Sequence, residues 1–296
     1  MFVDKGEMPG GGHAVTERML KVRRVQMELL RKLLEVCGRH GLNVWLDGGS
    51  LLGAVREKGY IPWDDDIDTI MLRADYDRLV GLANEFKKPF FLQCARTDRL
   101  YPRGHAQLRM DGTAAILPVD AKARAAFHQG IFIDIFVLDG VPPTEELRRE
   151  AAAETLRLAK RLRVMCEYRP PRQFGPFIRR QLCRLKSFEK CFDEYEMSFK
   201  RWTAGDNARL CNWAMNAGAM ETRGAIMRSW YGETVTLRFE GMDVPAPAGY
   251  DALLTTLYGD YMTPRKEPTY HGQVYFDTEH SYKEVLERWR KGEAVF

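Results

Sequence analysis

Apolar positions recur every three or four residues near the start of the chain. From Val22 to Val36 they follow one face of a helix. Thr16 is a suitable N-cap for this helix, and Gly38 or Gly41 suits its C-terminal end. The pattern predicts an amphipathic helix that packs on a sheet and carries no chemistry.

Further along the chain, short apolar runs bounded by polar residues predict buried strands. These runs lie at 43–46, 67–72, 90–94 and 130–139, and a second helix is expected at 75–86. Strands that alternate with helices in this way are typical of an α/β (α+β) protein.

Composition narrows the classes to which the protein can belong. With 296 residues and 45% hydrophobic content, the chain can bury one large core or two modest ones. The net charge of +4 is too small to argue for nucleic acid as a partner. No stretch approaches about 18 apolar residues, and the first residues lack the apolar core of a signal peptide, so we expect a cytoplasmic protein. The six cysteines show no metal-binding spacing, which predicts reduced, mostly buried thiols.

A glycine turn follows the first predicted strand. Asp47, Gly48 and Gly49 break that strand, and Ser50 can cap a helix that runs on from Leu51. Two glycines let the backbone approach an anion, and the first amides of a helix point at it with the positive end of the helix dipole. The turn therefore suits a phosphate, although Gly-Gly-Ser turns also occur for steric reasons alone.

Four aspartates crowd into five positions before the second strand, at Asp64, Asp65, Asp66 and Asp68. Strand alternation would put Asp64, Asp66 and Asp68 on one face. Because like charges repel, a divalent cation that prefers hard oxygens explains this cluster better than a solvated loop, which stays the alternative. A calcium loop fits less well, since Thr69 stands where such a loop needs glycine.

Another carboxylate, Asp134, lies inside the apolar run GIFIDIFVLD at 130–139. An isolated charge there would be costly unless it found a partner or became neutral. A metal ion or an acceptor hydroxyl would explain Asp134, and a salt bridge to an arginine is the structural alternative. We interpret Asp139, which precedes Gly140, as a turn residue.

Two neighbouring segments resemble a known family. The run GSLLGAVR at 49–56, followed by IPWDDDID at 61–68, closely resembles the LicD family of bacterial phosphorylcholine transferases, relatives of fukutin and fukutin-related protein. The resemblance implies a nucleotidyltransferase-like fold with a mixed sheet flanked by helices, in which the glycine turn holds the phosphates of the donor and aspartates hold Mg²⁺ or Mn²⁺. It implies catalytic roles for Asp66, Asp68 and Asp134, a metal set of Asp64, Asp66, Asp68 and Asp134, and phosphate contacts at Gly48, Gly49, Ser50 and Arg56.

Two further candidates come from shorter matches. The segment RGHAQLRMDGT at 103–113 resembles the family's next block, which implies a donor phosphate contact for Arg109, with an ordinary surface arginine as the alternative. We interpret His105 as a polar residue at a strand edge, outside the site. The segment 244–262 resembles the family's C-terminal block, and His271 beyond it could contact donor or acceptor, with a structural histidine as the alternative.

The middle of the chain is strongly basic. Between Arg157 and Lys190, eleven lysines and arginines stand against two acids. Helices are expected at 145–163 and 176–199. A basic amphipathic helix suits an anionic membrane surface or a polyanionic acceptor, and a solvated helix packed on the core is the alternative. The second helix carries its apolar residues in one predicted stripe, formed by Ile178, Leu182, Leu185, Phe188 and Phe192.

We expect three parts in the chain: a nucleotidyltransferase-like catalytic core at 1–143, a basic helical insertion at 144–228, and a C-terminal part at 229–296 that packs back on the core. The function that the resemblance implies is a Mg²⁺-dependent phosphotransferase. It would move phosphocholine, or a related phospho-alcohol, from a CDP-activated donor such as CDP-choline to a hydroxyl of a cell-surface glycan, lipid-linked glycan or teichoic-acid precursor, and release CMP. Residues 157–190 would contact the anionic inner face of the plasma membrane, and no nucleic acid is expected.

Three alternatives to this function stay open. One is a nucleotidyltransferase that acts on a small substrate, and another is a transferase of ribitol phosphate or glycerol phosphate. The non-enzymatic alternative is a Ca²⁺-binding protein of a membrane surface or of a polyanion.

Overall fold

The computed structural model describes residues 15–166, 174–183, 185–203, 208–217, 226–264 and 274–293. Within these ranges, the helices are α1 (Glu17–His40), α2 (Gly48–Arg56), α3 (Arg73–Gly81), α4 (Pro118–Ala123), α5 (Glu145–Cys166), α6 (Phe174–Cys183), α7 (Phe188–Lys200), α8 (Trp213–Asn216), α9 (Tyr250–Tyr258) and α10 (Tyr282–Arg290). The strands are β1 (Trp45–Leu46), β2 (Asp68–Leu72), β3 (Phe90–Gln93), β4 (Ala106–Met110), β5 (Ala114–Ile116), β6 (Phe132–Gly140), β7 (Arg209–Cys211), β8 (Ile226–Met227), β9 (Thr234–Phe239), β10 (Met242–Pro247) and β11 (Tyr275–Asp277).

The central sheet has the strand order β1-β2-β6-β4-β3. Strands β2 and β6 are parallel, while the other neighbours along this order are antiparallel. The far end of β6 also pairs with β7, which in turn pairs with β8. Strands β9 and β10 form a separate hairpin, and β5 pairs with β11. The predicted mixed α/β fold is thereby confirmed.

Helix α1 forms where the apolar periodicity predicts it. The Thr16 hydroxyl accepts a hydrogen bond from Met19 N, and Gly41 ends the helix in the left-handed conformation, with φ 59°. The buried face of the helix contacts β4 and β6 and joins the main hydrophobic core. Helix α1 therefore covers the sheet beside the strands that carry the aspartates.

A second hydrophobic cluster lies in the middle of the chain. Helices α5 and α7 pack against each other, with Leu158 and Leu162 facing Phe192 and Phe199. Trp213 of α8 is buried in the same cluster and donates from its ring nitrogen to Gly140 O at 3.0 Å. This contact joins the helical cluster to the end of β6.

The single helix predicted at 176–199 is in fact two helices. Ser187 begins a new one, α7, by accepting a hydrogen bond from Lys190 N, so the predicted stripe does not lie on one helix. Phe188 and Phe192 are buried, whereas Ile178, Leu182 and Leu185 are exposed. Among the described helices, none is long and apolar enough to cross a membrane.

The prediction that Asp139 is a turn residue is wrong. Strand β6 continues to Gly140, because Asp139 pairs with Cys211 of β7. The Asp139 carboxylate is fully buried and accepts from Arg73 Nε at 2.8 Å, from Arg73 Nη2 at 2.6 Å and from the Thr203 hydroxyl at 2.6 Å. A salt bridge of the kind considered as an alternative for Asp134 is thus found five residues further along β6, at Asp139.

Candidate functional site

The glycine turn leads directly into α2, and its geometry differs from the prediction at one residue. Asp47 is the N-cap position, and the helix begins at Gly48, which has φ +52°. Ser50 therefore lies inside the first turn and is not the cap. Its hydroxyl accepts a hydrogen bond from Asp68 N at 2.9 Å, and Asp47 N donates to Asp68 O at 3.0 Å. These bonds tie the first turn of α2 to the first residue of β2.

The two glycines allow carboxylates to lie against the N-terminal turn of α2. A Cβ at position 48 would stand 3.3 Å from Asp68 Oδ2, and one at position 49 would stand 2.5 Å from Asp64 Oδ2. Glycine is therefore required at Gly48 by both its positive φ and this close approach. The turn and two of the predicted metal ligands form one cluster.

The acidic segment itself is not a strand before Asp68. Strand β2 begins at that residue, so the alternation predicted for Asp64 and Asp66 is wrong. Residues of α1 hold the irregular segment in place through its carbonyl groups. Arg23 Nη2 donates to the carbonyl oxygens of Ile61, Pro62 and Asp64 at 2.8–3.2 Å, and Gln26 Nε2 donates to Asp65 O at 2.8 Å.

Asp68 and Asp134 are direct neighbours on the parallel strands β2 and β6. Burial, and then the charges of Asp66, Asp134, Asp47 and Asp64, raise the pKa of Asp68 well above its ordinary value. Burial also raises the pKa of Asp47 to about 6, although a hydrogen bond from the Gly48 backbone opposes that shift. Burial and mutual repulsion thus both oppose ionisation of these carboxylates. A bound cation would reduce the repulsion between their negative charges.

Two polar residues of the site were missed by the sequence argument. Gln107 Nε2 donates to Asp134 Oδ1 at 2.8 Å, and His105 Nε2 lies 3.2 Å from the same oxygen. The interpretation of His105 as an edge residue outside the site is therefore wrong. Residues 105, 107 and 109 alternate along one stretch of chain, and this spacing of polar residues two apart is the signal that could have indicated their common face.

The structure contradicts the predicted phosphate contact of Arg109. This arginine is fully buried in the sheet, so it is neither a phosphate ligand nor a surface residue. It donates to Gln93 Oε1 at 2.5 Å, to Gly130 O at 2.6 Å and to Gln107 Oε1 at 2.5 Å. Since the last bond occupies the oxygen of the Gln107 amide, it turns the amide nitrogen toward Asp134. Burial lowers the pKa of Arg109 to about 10.

The remaining predicted contacts lie elsewhere. Arg56 is in the last turn of α2, about 12 Å along the helix axis from Gly48. Its guanidinium donates to Glu57 Oε1 at 2.7 Å and to Tyr261 O at 3.1 Å, so the structure does not bring it to the glycine turn. His271 lies outside the described residues.

The donor set fits a small, hard divalent cation by its chemistry. Asp64, Asp66, Asp68 and Asp134 supply carboxylate oxygens, the ligands that Mg²⁺ and Mn²⁺ prefer. In the part of the chain that the structure describes, no three His, Cys, Asp or Glu side chains already converge on a common metal position. The fit rests on the type of donor and on the register that sets Asp68 beside Asp134 on β2 and β6.

Replacing Gly49 with alanine should disturb the site more than the fold. The new Cβ would stand 2.5 Å from Asp64 Oδ2, so the carboxylate must move, but it is the end of a side chain and can do so. We expect turnover to fall by roughly 10²-fold, because displacing a site group by about 1 Å costs this much, while thermal unfolding shows little change.

Two other glycines of helices supply the controls for this variant. At Gly53 a Cβ would meet the backbone oxygen of Gly59 at 2.3 Å, so Gly53→Ala should lower the melting temperature. At Gly38 nothing lies within 4 Å, so Gly38→Ala should leave both activity and melting unchanged or slightly raise stability. Full activity in Gly49→Ala would show that the position of Asp64 does not matter.

Comparison with known proteins places the glycine turn and the acidic segment in one domain. Residues 41–105 match the family model described as LicD/FKTN/FKRP, nucleotidyltransferase domain. Over 244 residues the chain is 27% identical to the lipopolysaccharide cholinephosphotransferase LicD of Haemophilus influenzae. The matched region covers 80% of this chain and 89% of that protein. Over 45 residues the chain is 47% identical to the human ribitol 5-phosphate transferase FKRP, and this matched region covers 15% of the chain and 9% of that protein.

The matched domain contains the turn at Gly48 and Gly49 and the aspartates up to Asp68, and the longer similarity extends over most of the chain. The resemblance that the motifs indicate is therefore confirmed. The chain is thus similar to the LicD lipopolysaccharide cholinephosphotransferase over most of its length, and its residues 41–105 match the LicD/FKTN/FKRP nucleotidyltransferase domain model.

Proposed function

We propose that this chain is a phosphotransferase that moves phosphocholine from CDP-choline to a hydroxyl of a cell-surface glycan precursor, with release of CMP. The observation that carries the proposal is the placement of Asp68 and Asp134 side by side on β2 and β6, next to the N-terminal turn of α2. The similarity to a cholinephosphotransferase over 89% of that protein's length favours phosphocholine as the group transferred.

The glycine turn is the proposed binding place for the diphosphate of the donor. The backbone amides of the first turn of α2 are unsatisfied within the helix, and the positive end of the helix dipole favours an anion there. The hydroxyl of Ser50 is held by Asp68 N. It fixes the distance between this turn and β2, so Ser50 acts by positioning the carboxylate strand.

The aspartates Asp64, Asp66 and Asp68, with Asp134, are the proposed holders of Mg²⁺. When bound, the ion would neutralise negative charge on the transferring and leaving oxygens. The chain's own contribution is to fix these carboxylates before the donor arrives. Arg23 and Gln26 do this through the backbone of the acidic segment, and β2 does so for Asp68.

Asp134 is the proposed general base if it is not needed as a ligand. The acceptor oxygen forms the new bond to phosphorus, the bond from phosphorus to the CMP oxygen breaks, and the acceptor proton passes to the Asp134 carboxylate. Gln107 and His105 both contact Oδ1 of Asp134. They hold the carboxylate in one orientation, so that Oδ2 can face the acceptor.

A second donor deserves a place in the test because of the similarity to a ribitol 5-phosphate transferase. That similarity is high, at 47%, but it covers only 15% of this chain. CDP-ribitol is therefore the second candidate donor, and CDP-glycerol is a third member of the same chemical class. All three would release CMP, whereas a nucleotidyltransferase would use CTP and release pyrophosphate.

Calorimetric titration with CDP-choline, CDP-ribitol, CDP-glycerol and CTP tests the proposal, first with Mg²⁺ and then with EDTA. We expect CDP-choline to bind in the presence of Mg²⁺ and to lose most of its affinity in EDTA. Binding should fall in Asp68→Asn and stay unchanged in Asp243→Asn, because Asp243 is an exposed carboxylate of β10 paired with Arg238. Binding of CTP alone would replace the proposal with a nucleotidyltransferase, and calcium binding without nucleotide affinity would favour the non-enzymatic alternative.

A further inference from the structure

Helix α6 exposes a set of large apolar side chains, although it belongs to a packed group of helices. Phe177 is 46% exposed, Ile178 42%, Leu182 59% and Leu185, just past the helix, 81%. Leu185 N donates to Leu182 O at 3.3 Å, which keeps these two leucines in one compact turn. We name these four residues the α6 patch.

Among the elements that the structure describes, α5 is the main packing partner of the helix that carries the α6 patch. Helix α6 contacts α5, and Arg161 of α5 donates to Cys183 O at 3.4 Å. The neighbouring leucines of α5 that face inward, Leu158 and Leu162, are buried. The apolar residues of α6 are therefore not needed to fill the core between α5 and α7.

Basic side chains are exposed on the same group of helices as the α6 patch, although one of them, Lys186, is paired with Glu194. Arg157, Lys160 and Arg163 of α5 are exposed, and so are Lys186 and Lys190 near the start of α7. Between positions 157 and 190 the sequence carries eleven basic residues and two acids. Exposed apolar residues beside a dense positive charge are the combination by which a helix binds in the interface of an anionic bilayer.

We propose that the α6 patch docks this protein on an anionic phospholipid surface, with Phe177, Ile178, Leu182 and Leu185 inserted among the lipids and the basic residues around them facing the headgroups. A second copy of the chain fits this patch less well. A two-fold contact would bring the same basic residues face to face, and like charges oppose such an interface. A negatively charged lipid surface satisfies the apolar and the charged residues together.

Lipid docking would bring the enzyme to a lipid-linked acceptor, and only this biological purpose rests on the proposed function. Docking on lipid requires no donor, metal or acceptor. A binding measurement without nucleotide therefore tests the α6 patch separately from the transferase reaction.

Co-sedimentation of the full chain with vesicles tests the proposal. The probes are vesicles of phosphatidylcholine alone and vesicles with about 30 mol% phosphatidylglycerol, each at low and high salt. We expect binding to the anionic vesicles, little binding to neutral ones, and weaker binding at high salt because the charges are screened. The double variant Leu182→Gln/Leu185→Gln should lower the partition coefficient by about tenfold or more.

The matched control is Leu20→Gln, because Leu20 is a 45% exposed leucine on α1, a helix that does not belong to the hydrophobic cluster of α5 and α7. It should bind vesicles as the unsubstituted chain does, and circular dichroism should show that all variants fold. Equal vesicle binding by the double variant and the unsubstituted chain would overturn the proposal, as would equal binding to neutral and anionic vesicles. Absence of vesicle binding together with a dimer that the double variant abolishes would assign the α6 patch to self-association.

Discussion

Replacing Asp68 with asparagine should stop phosphoryl transfer while leaving the protein folded. Asp68 Oδ2 lies against the glycine turn, 3.3 Å from where a Cβ at Gly48 would stand, and Asp68 faces Asp134 across β2 and β6. Losing its charge should lower kcat by roughly 10³-fold or more, since it acts where charge builds up in the transition state. CMP release from the donor in the presence of a glycan acceptor measures the effect.

The same variant should not be less stable than the unsubstituted chain when metal is removed. The pKa of Asp68 is raised in the folded state, so its ionisation above about pH 4 costs the folded protein free energy. Metal-free stability should therefore decrease as pH rises from the unfolded pKa through the raised folded pKa. Asparagine cannot ionise, so Asp68→Asn should lose less stability across that interval, which thermal unfolding in EDTA at a series of pH values would show.

Two outcomes would contradict this expectation. Unchanged turnover in Asp68→Asn would remove Asp68 from the reaction. An equal fall in Asp243→Asn, whose side chain is exposed on β10, would show that the assay reports a general effect of charge.

Of the substitutions proposed for this chain, removal of the Asp139 carboxylate should lower the free energy of unfolding most. Asp139 is fully buried and makes two hydrogen bonds with Arg73, whose side chain is also buried. Asp139→Ala would leave that guanidinium without its main partner, and breaking a buried pair from one side costs about 3–5 kcal/mol. Urea unfolding followed by tryptophan fluorescence measures the free energy of unfolding.

A double replacement separates the charge of this pair from its volume. Arg73→Met together with Asp139→Leu leaves no unpaired charge, so it should be more stable than Asp139→Ala alone. The exposed pair of Arg238 and Asp243 supplies the comparison, and Asp243→Ala should cost about 1 kcal/mol or less. A cost for Asp139→Ala as small as that would mean that Glu196 and Asp77, which also contact Arg73, compensate for the loss.

Local signals predicted those elements whose ends are fixed by neighbouring residues. Helix α1 could be placed from the Thr16 cap and the glycine at its end, because caps act within a few residues. The place of Asp139 within β6 could not be predicted, since Asp139 and Gly140 are kept in the strand by pairing with β7, about 70 residues later in the chain. The break between α6 and α7 was missed because the apolar spacing continues across Ser187, although the two halves of the stripe face different surroundings.

The candidate site also combines features that the sequence predicted with features that it could not predict. The glycine turn and the acidic segment were visible because each is a short run of unusual composition, and the structure brings them together. The role of Arg109 could not be predicted, since whether an arginine faces a phosphate or the interior depends on strands that pack beside it. Gln93, Gln107 and the carbonyl of Gly130 enclose it, and these come from three separate places in the sequence.

The register between β2 and β6 also determines where the chain can change in length. Asp134 faces Asp68 only as long as the number of residues before it in β6 stays the same. Its neighbours in the strand, Ile133 and Ile135, are fully buried. One inserted residue at the start of β6 would turn an isoleucine toward Asp68 and send the aspartate into the core, since successive side chains of a strand point to opposite faces. An insertion or deletion among the first residues of β6 should therefore separate Asp134 from Asp68 and be eliminated by selection.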